Sequence, residues 1–217
     1  MLKKRILLLG GSFNPIHETG HVELLRIVKE QLAKSGQGVD EAWLMPAAHN
    51  PMKPLEGMAS FQHRLAMCQL QAKNINWLGV TDIEGTLPKP CYTHAVLVEL
   101  QKRYPDYEFI WLMGSDNLLH FHEWEHWEDI LQMMPVIVVG RDCSTQGIKQ
   151  SQTVIDMAHA LYQMDDSFVD LPNIRFCDVG HLSARATKIR EHIIQGTPCD
   201  DLNADVRLYI DKYQLYR

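Results

Sequence analysis

Long apolar runs are missing from this sequence. Nowhere do about 18 apolar residues follow one another, the length a membrane-spanning helix needs, so no membrane partner is expected. The stretch Ile6-Leu7-Leu8-Leu9 behind Lys3-Lys4-Arg5 is too short for an export signal. It also runs into Gly10-Gly11 rather than a small-residue cleavage site. Cysteine is sparse: five residues (Cys68, Cys91, Cys143, Cys177, Cys199) lie scattered, with no CxxC pair. Such a set, without an export signal, reads as reduced thiols and a cytoplasmic protein. Positive charge is in deficit, with 21 Lys and Arg against 27 Asp and Glu and a net charge of −6. That argues against nucleic acid as a partner, since a polyanion needs a basic face. It leaves room for a small phosphate ligand, because a few local donors make a positive pocket on an acidic protein. Linkers, internal repeats and low-complexity segments are lacking too.

What is present is an ordinary folded composition, 46% hydrophobic and 22% charged. A chain of 217 residues suffices for one sizeable core and is marginal for two, so one domain over 1–217 is expected. An oligomer remains open. Apolar runs at 5–9, 41–45, 77–83, 108–113, 135–140 and 174–179 read as strands. Between them, Val22, Leu25, Val28 and Leu32 fall at helical spacing, and Phe61, Leu65, Met67 and Leu70 mark a second helix. Thr93 is a candidate N-cap for a helix through Lys102, a further helix is expected near 125–133, and two helices close the chain. Residues 46–58 and 141–152 read as loops. Strands alternating with helices, and apolar enough for burial on both faces, predict an α/β fold. It should be an open, doubly wound parallel sheet with right-handed crossovers. In such folds ligands sit beyond the carboxyl ends of the strands. Gly10-Gly11, Pro46–Lys53 and Gly114-Ser115-Asp116 each follow a strand.

The most informative segment is Gly10-Gly11-Ser12-Phe13-Asn14-Pro15-Ile16-His17-Glu18-Thr19-Gly20-His21, joining the first strand to the first helix. Glycines let a backbone approach a phosphate closely. Helix-start N–H groups and the partial positive charge there favour an anion. His17 and His21 add ring N–H donors that could meet a nucleotide triphosphate. The dinucleotide fingerprint GxGxxG is absent, and so is the Gly-Lys-Ser/Thr of a P-loop.

That segment resembles the GGTFDPxHxGH opening of the nucleotidyltransferases that include nicotinate-nucleotide adenylyltransferase. The resemblance continues in order along the chain. Tyr92-Thr93 is similar to a family Tyr-Thr at a helix start. Gly114-Ser115-Asp116-Asn117-Leu118 with Phe121 and Trp124 is similar to its GxDxLxxFxxW stretch. Ala186-Thr187-Lys188-Ile189-Arg190 is similar to the end of its SxTxIR-type motif. The resemblance implies a Rossmann-like nucleotidyltransferase fold. It also implies direct attack of a pyridine mononucleotide's phosphate on the α-phosphorus of ATP, with Mg²⁺ bridging the phosphates and no metal bound by the protein itself. By the same resemblance His17, His21 and Arg190 are the catalytic residues. Gly10, Gly11, Ser12, Phe13, Gly114, Asp116, Thr187 and Arg190 would bind ATP, with Thr187 and Arg190 on its β/γ end. Tyr92, Thr93 and Trp124 would shape the pyridine pocket, and Lys53 would neutralise substrate phosphate, or else be a solvated loop lysine. The substrates implied are ATP and nicotinate mononucleotide, with nicotinamide mononucleotide as the alternative. A non-catalytic nucleotide-binding protein is the competing class.

Three departures from the family pattern stand out. His17-Glu18-Thr19-Gly20-His21 is one residue longer than HxGH. In an α-helical stretch one extra residue rotates the side chains beyond it by about 100°, so a bulge at Glu18-Thr19 is expected to absorb it. Ser12 and Asn14 replace Thr and Asp. Arg185 stands where the family has Ser. Finally, His122-Glu123-Trp124-Glu125-His126 spells the HExxH of zinc proteases, which requires one continuous helix and a third ligand. Its place after a strand and a Gly-Ser-Asp turn speaks against that reading.

Overall fold

The structure is a computed structural model, which describes residues 3–48, 57–140, 174–180, 182 and 184–217. Six parallel strands form one sheet: β1 (Lys4–Gly11), β2 (Glu41–Pro46), β3 (Leu78–Val80), β4 (Tyr107–Gly114), β5 (Val136–Gly140) and β6 (Ile174–Asp178). Their order is β3-β2-β1-β4-β5-β6. The doubly wound sheet expected from the apolar runs is therefore the one observed.

Strand side chains alternate between faces, and each face is buried. From β1, Leu7 and Leu9 join Ile110, Leu112, Ile137 and Val139 in a core on one side. Helices α1 (Glu23–Lys34), α2 (Phe61–Ala72), α7 (Ala186–Gln195) and α8 (Ala204–Lys212) cover that side, through residues such as Leu25, Met67, Ile189 and Val206. Ile6 and Leu8 point the other way, to Phe109, Trp111, Met113 and Val138. There α4 (Thr93–Arg103) and α6 (Trp127–Met133) close over them with Val96, Leu97, Leu100, Ile130 and Leu131. Each fully buried aliphatic side chain of this kind stabilises the fold by about 2 kcal/mol. That is why β1, covered on both sides, reads as an unbroken apolar run.

Four expectations are corrected. The third strand stops at Val80 rather than running to 83. Thr81 Oγ1 accepts the Ile83 N–H at 3.3 Å, and the chain turns into the single-turn helix α3 (Ile83–Thr86); a hydroxyl bonding its own backbone competes with the ladder. Helix α4 is entered from Tyr92, which occupies the N-cap position assigned to Thr93. The stretch after β4 is not simply a turn: Ser115–Leu119 forms the short helix α5 and Phe121–Glu123 a 3₁₀ turn. The helix after that begins at Trp127 instead of 125. The loop expected at 141–152 lies outside the described residues, as does most of 46–58. Among the described residues no helix is long and apolar enough to cross a membrane.

Candidate active site

The strand order reverses direction between β1 and β4, the place where open α/β sheets leave a crevice at their carboxyl ends. Gly10-Gly11 end β1 at this crevice and run into the loop 12–17, and Gly114 ends β4 beside it, with Ser115-Asp116 following.

Cations and an amide tie the loop down from behind. Arg64, on α2 and only 2% exposed, donates from Nη1 to Ser12 O at 2.7 Å and from Nε to Ala59 O at 3.0 Å. Burial pushes its guanidinium below its ordinary value, and nearby Glu84 works against that. Arg190, on α7, donates from Nη1 to Asn14 O at 2.8 Å, and its Nη2 lies 3.5 Å from Thr187 Oγ1. Asn14 bonds in both senses: Nδ2 donates to Gly57 O at 3.1 Å and Oδ1 accepts from Ala59 N–H at 3.0 Å. An aspartate could not donate the first of these, which gives the Asn-for-Asp change a physical reason. Ala47 N–H donates to Gly11 O at 2.8 Å, and Ala48 N–H to Glu84 Oε2 at 2.9 Å. Desolvation raises the Glu84 carboxyl to about 7, against the Ala48 bond and Arg64, which both lower it. The Ser12 hydroxyl is buried and has no hydrogen-bond partner among the described residues.

The two histidines meet. His17 is 2% exposed, and its ring centroid lies 3.9 Å from that of His21, with the planes 39° apart. His21 also packs edge-on against Phe13, centroids 5.0 Å apart. The extra residue of His17–His21 is absorbed as expected, but by a helical device: Glu18–Val22 form a π-turn that leads directly into α1. His17 O takes both the His21 N–H (3.2 Å) and the Val22 N–H (3.5 Å). A π-turn accommodates one residue more than an α-turn, so the insertion does not turn the rings apart. Gly20 is required by contact: a Cβ there would lie 2.0 Å from Cε1 of His17. Gly10 has a reason that phosphate access alone does not supply, since its Cβ would stand 2.5 Å from the Trp111 ring beneath it.

The structure thus gathers Gly10, Gly11, Ser12, Phe13, His17, His21, Thr187 and Arg190 around one loop. Gly114 and Asp116 stand at the neighbouring strand end, with the Asp116 side chain folded back over Gly114. Tyr92 and Thr93 open α4, and Trp124 packs edge-on against Phe121, centroids 5.2 Å apart. These residues flank a contact between the starts of α4 and α6, where the His94 and His126 rings lie 4.7 Å apart. Lys53 lies outside the described residues. Arg185 is the N-cap of α7, where a guanidinium, having no acceptor, cannot cap as the family's serine could. The HExxH segment does not make its helix: His122 is in the 3₁₀ turn and His126, at φ 55°, breaks from it in the left-handed region. Arg64 and Glu84 escaped the sequence reading. The available signal was that Arg64, Met67, Cys68 and Gln71 share one face of α2, the face that is buried.

A parallel sheet with basic donors at its switch point is a nucleotide-handling architecture, and comparison specifies which. The chain belongs to the cytidylyltransferase-like family, whose model matches residues 8–192. Within it, the chain is 36% identical over 191 residues to a probable nicotinate-nucleotide adenylyltransferase of Parvibaculum lavamentivorans, covering 86% of this chain and 91% of that protein. It is 32% identical to the one from Shewanella pealeana, over 98% and 96% of the two chains. The fold is shared with the Plasmodium falciparum nicotinic acid mononucleotide adenylyltransferase complexed with NaAD, at a TM-score of 0.68 and 18% identity, over 98% of this chain and 97% of that one.

Proposed function

We propose that this chain transfers AMP from ATP to nicotinate mononucleotide, giving the deamido dinucleotide and pyrophosphate. A phosphate oxygen of the mononucleotide attacks the α-phosphorus. The bond from that phosphorus to the bridging oxygen breaks, and pyrophosphate departs with that electron pair. Mg²⁺ enters as part of the ATP substrate and neutralises the charge building on the leaving group. No covalent intermediate on the protein is needed, so the protein's task is positioning and charge stabilisation.

His17 and His21 donate ring N–H groups to the phosphate chain, and the Ser12 hydroxyl, with no partner among the described residues, adds a further donor. Arg190 uses one nitrogen on Asn14 O and retains donors for the β/γ end, with Thr187 beside it. Gly114 and Asp116 take the adenosine side. Tyr92, Thr93 and Trp124 form the pyridine pocket. The observation that carries the reading is the meeting of both imidazoles and Arg190 on one loop at the switch point. The choice of mononucleotide rests on the named relatives.

A coupled pyrophosphate-release assay tests it. Turnover is expected with ATP plus nicotinate mononucleotide, and slower turnover with nicotinamide mononucleotide. Release with neither, alongside measurable ATP binding, leaves only a nucleotide-binding protein.

A further inference from the structure

Two of the three residues inside the lengthened histidine spacing, Glu18 and Thr19, are held by a single distant partner. Asp201 lies in the connection between α7 and α8. Its backbone carbonyl accepts the Glu18 N–H at 2.8 Å, and its carboxylate oxygen Oδ1 accepts a close hydrogen bond from the Thr19 hydroxyl. Glu18 and Thr19 are exposed, and they sit at the first turn of a helix, where N–H groups lack intrahelical partners. A π-turn is a rare arrangement that competes with an ordinary α-turn. Closing up into an α-turn would rotate His21 away from His17 by about 100°. Within the turn the His17 N–H donates to His21 Nδ1 at 3.4 Å, and from outside it Asp201 grips the turn at two consecutive residues.

We propose that Asp201 is a positioning residue for the histidine pair. It fixes Glu18 and Thr19 in the π-turn and so keeps the His21 ring against that of His17. Because α7 also carries Thr187 and Arg190, one C-terminal segment then sets both halves of the phosphate grip. The kinetic consequence rests on the adenylyl-transfer reading; the geometric one does not.

The test uses Asp201→Ala, Asp201→Asn and Thr19→Val in the full chain. Asp201→Asn retains an oxygen for the Thr19 hydroxyl, whereas Asp201→Ala removes the acceptor of that bond and Thr19→Val its donor. Both disrupting variants should lower kcat about 10- to 100-fold, the scale of small misplacements of catalytic groups. Their KM for the mononucleotide should stay within about twofold, while Asp201→Asn keeps a rate near that of the parent. In the ligand-free protein, the nuclear Overhauser contact between the His17 and His21 ring protons should fade in the two disrupting variants and persist in Asp201→Asn. If Asp201→Ala fails to fold, Thr19→Val, at an exposed position, carries both readouts. A ring contact left intact in the disrupting variants overturns the proposal. A parent protein without turnover, but with a ring contact that Thr19→Val abolishes, sinks the adenylyl-transfer reading and leaves the positioning role standing.

Discussion

Arg64 and Glu84 bring charge into the interior just behind the glycine loop, where isolated charges are costly. Arg64 offsets that cost with bonds to two carbonyls, Ser12 O and Ala59 O, and by stacking over Phe61 at 5.9 Å. Glu84 is less well compensated, so burial raises its carboxyl from 4.5 to about 7. A carboxyl that binds its proton more tightly when folded contributes stability that is complete below pH 4.5 and lost as the pH rises through about 7. The whole effect is at most about 3 kcal/mol. Thermal melts across pH 5 to 8 should therefore show the parent losing stability as pH rises. Glu84→Gln, which still accepts the Ala48 N–H, should lose much less; parallel curves would remove Glu84 from this account. Neither charge was singled out in the sequence, though Arg64 shares a helical face with Met67, Cys68 and Gln71. A Glu or an Arg among apolar neighbours looks like the polar face of a surface helix, and only the loop packed against it reveals otherwise.

Elements with one clear period were legible. The run Ile6–Leu9 gave β1 because both its faces are covered, and Val22, Leu25, Val28 and Leu32 gave α1 because they form one buried stripe. Where a single residue decides the backbone, the reading failed. Thr81 ended β3 early, and His126 at φ 55° delayed to Trp127 the helix expected from 125. The π-turn is an intermediate case: the spacing announced an irregularity, and hydrogen bonding chose its form. Gly20 belongs to this element, for the His17 ring lies where its Cβ would be. Gly20→Ala should push that ring aside and lower kcat/KM about 100-fold, with some loss of melting temperature as well, since the His17 ring that has to move is buried. Crystals of the variant with His17 in its parental rotamer, or undiminished kcat/KM, would contradict this.

The whole molecule explains how residues so far apart in sequence come together at one place. Winding the sheet outward in both directions from β1 and β4 leaves the crevice between them open at the strands' carboxyl ends. The glycine loop could be proposed as a phosphate site from the sequence because its residue types carry that chemistry themselves. Thr187 and Arg190, 166 and more residues beyond His21, could be joined to it only through resemblance; the fold supplies the bond from Arg190 to Asn14 O. On the proposed pyridine side, Tyr92 and Thr93 are placed by the start of α4 and Trp124 by the 3₁₀ turn Phe121–Glu123, rather than by the loop. The central claim is that the paired imidazoles hold the phosphate chain of ATP while its α-phosphorus is attacked. The most direct measurement is kcat for His21→Ala with saturating ATP and nicotinate mononucleotide, with circular dichroism confirming the fold. The account predicts a fall of about 100- to 1,000-fold, the scale for removing one donor from a transition-state charge. A variant turning over at close to the parent's rate would contradict it.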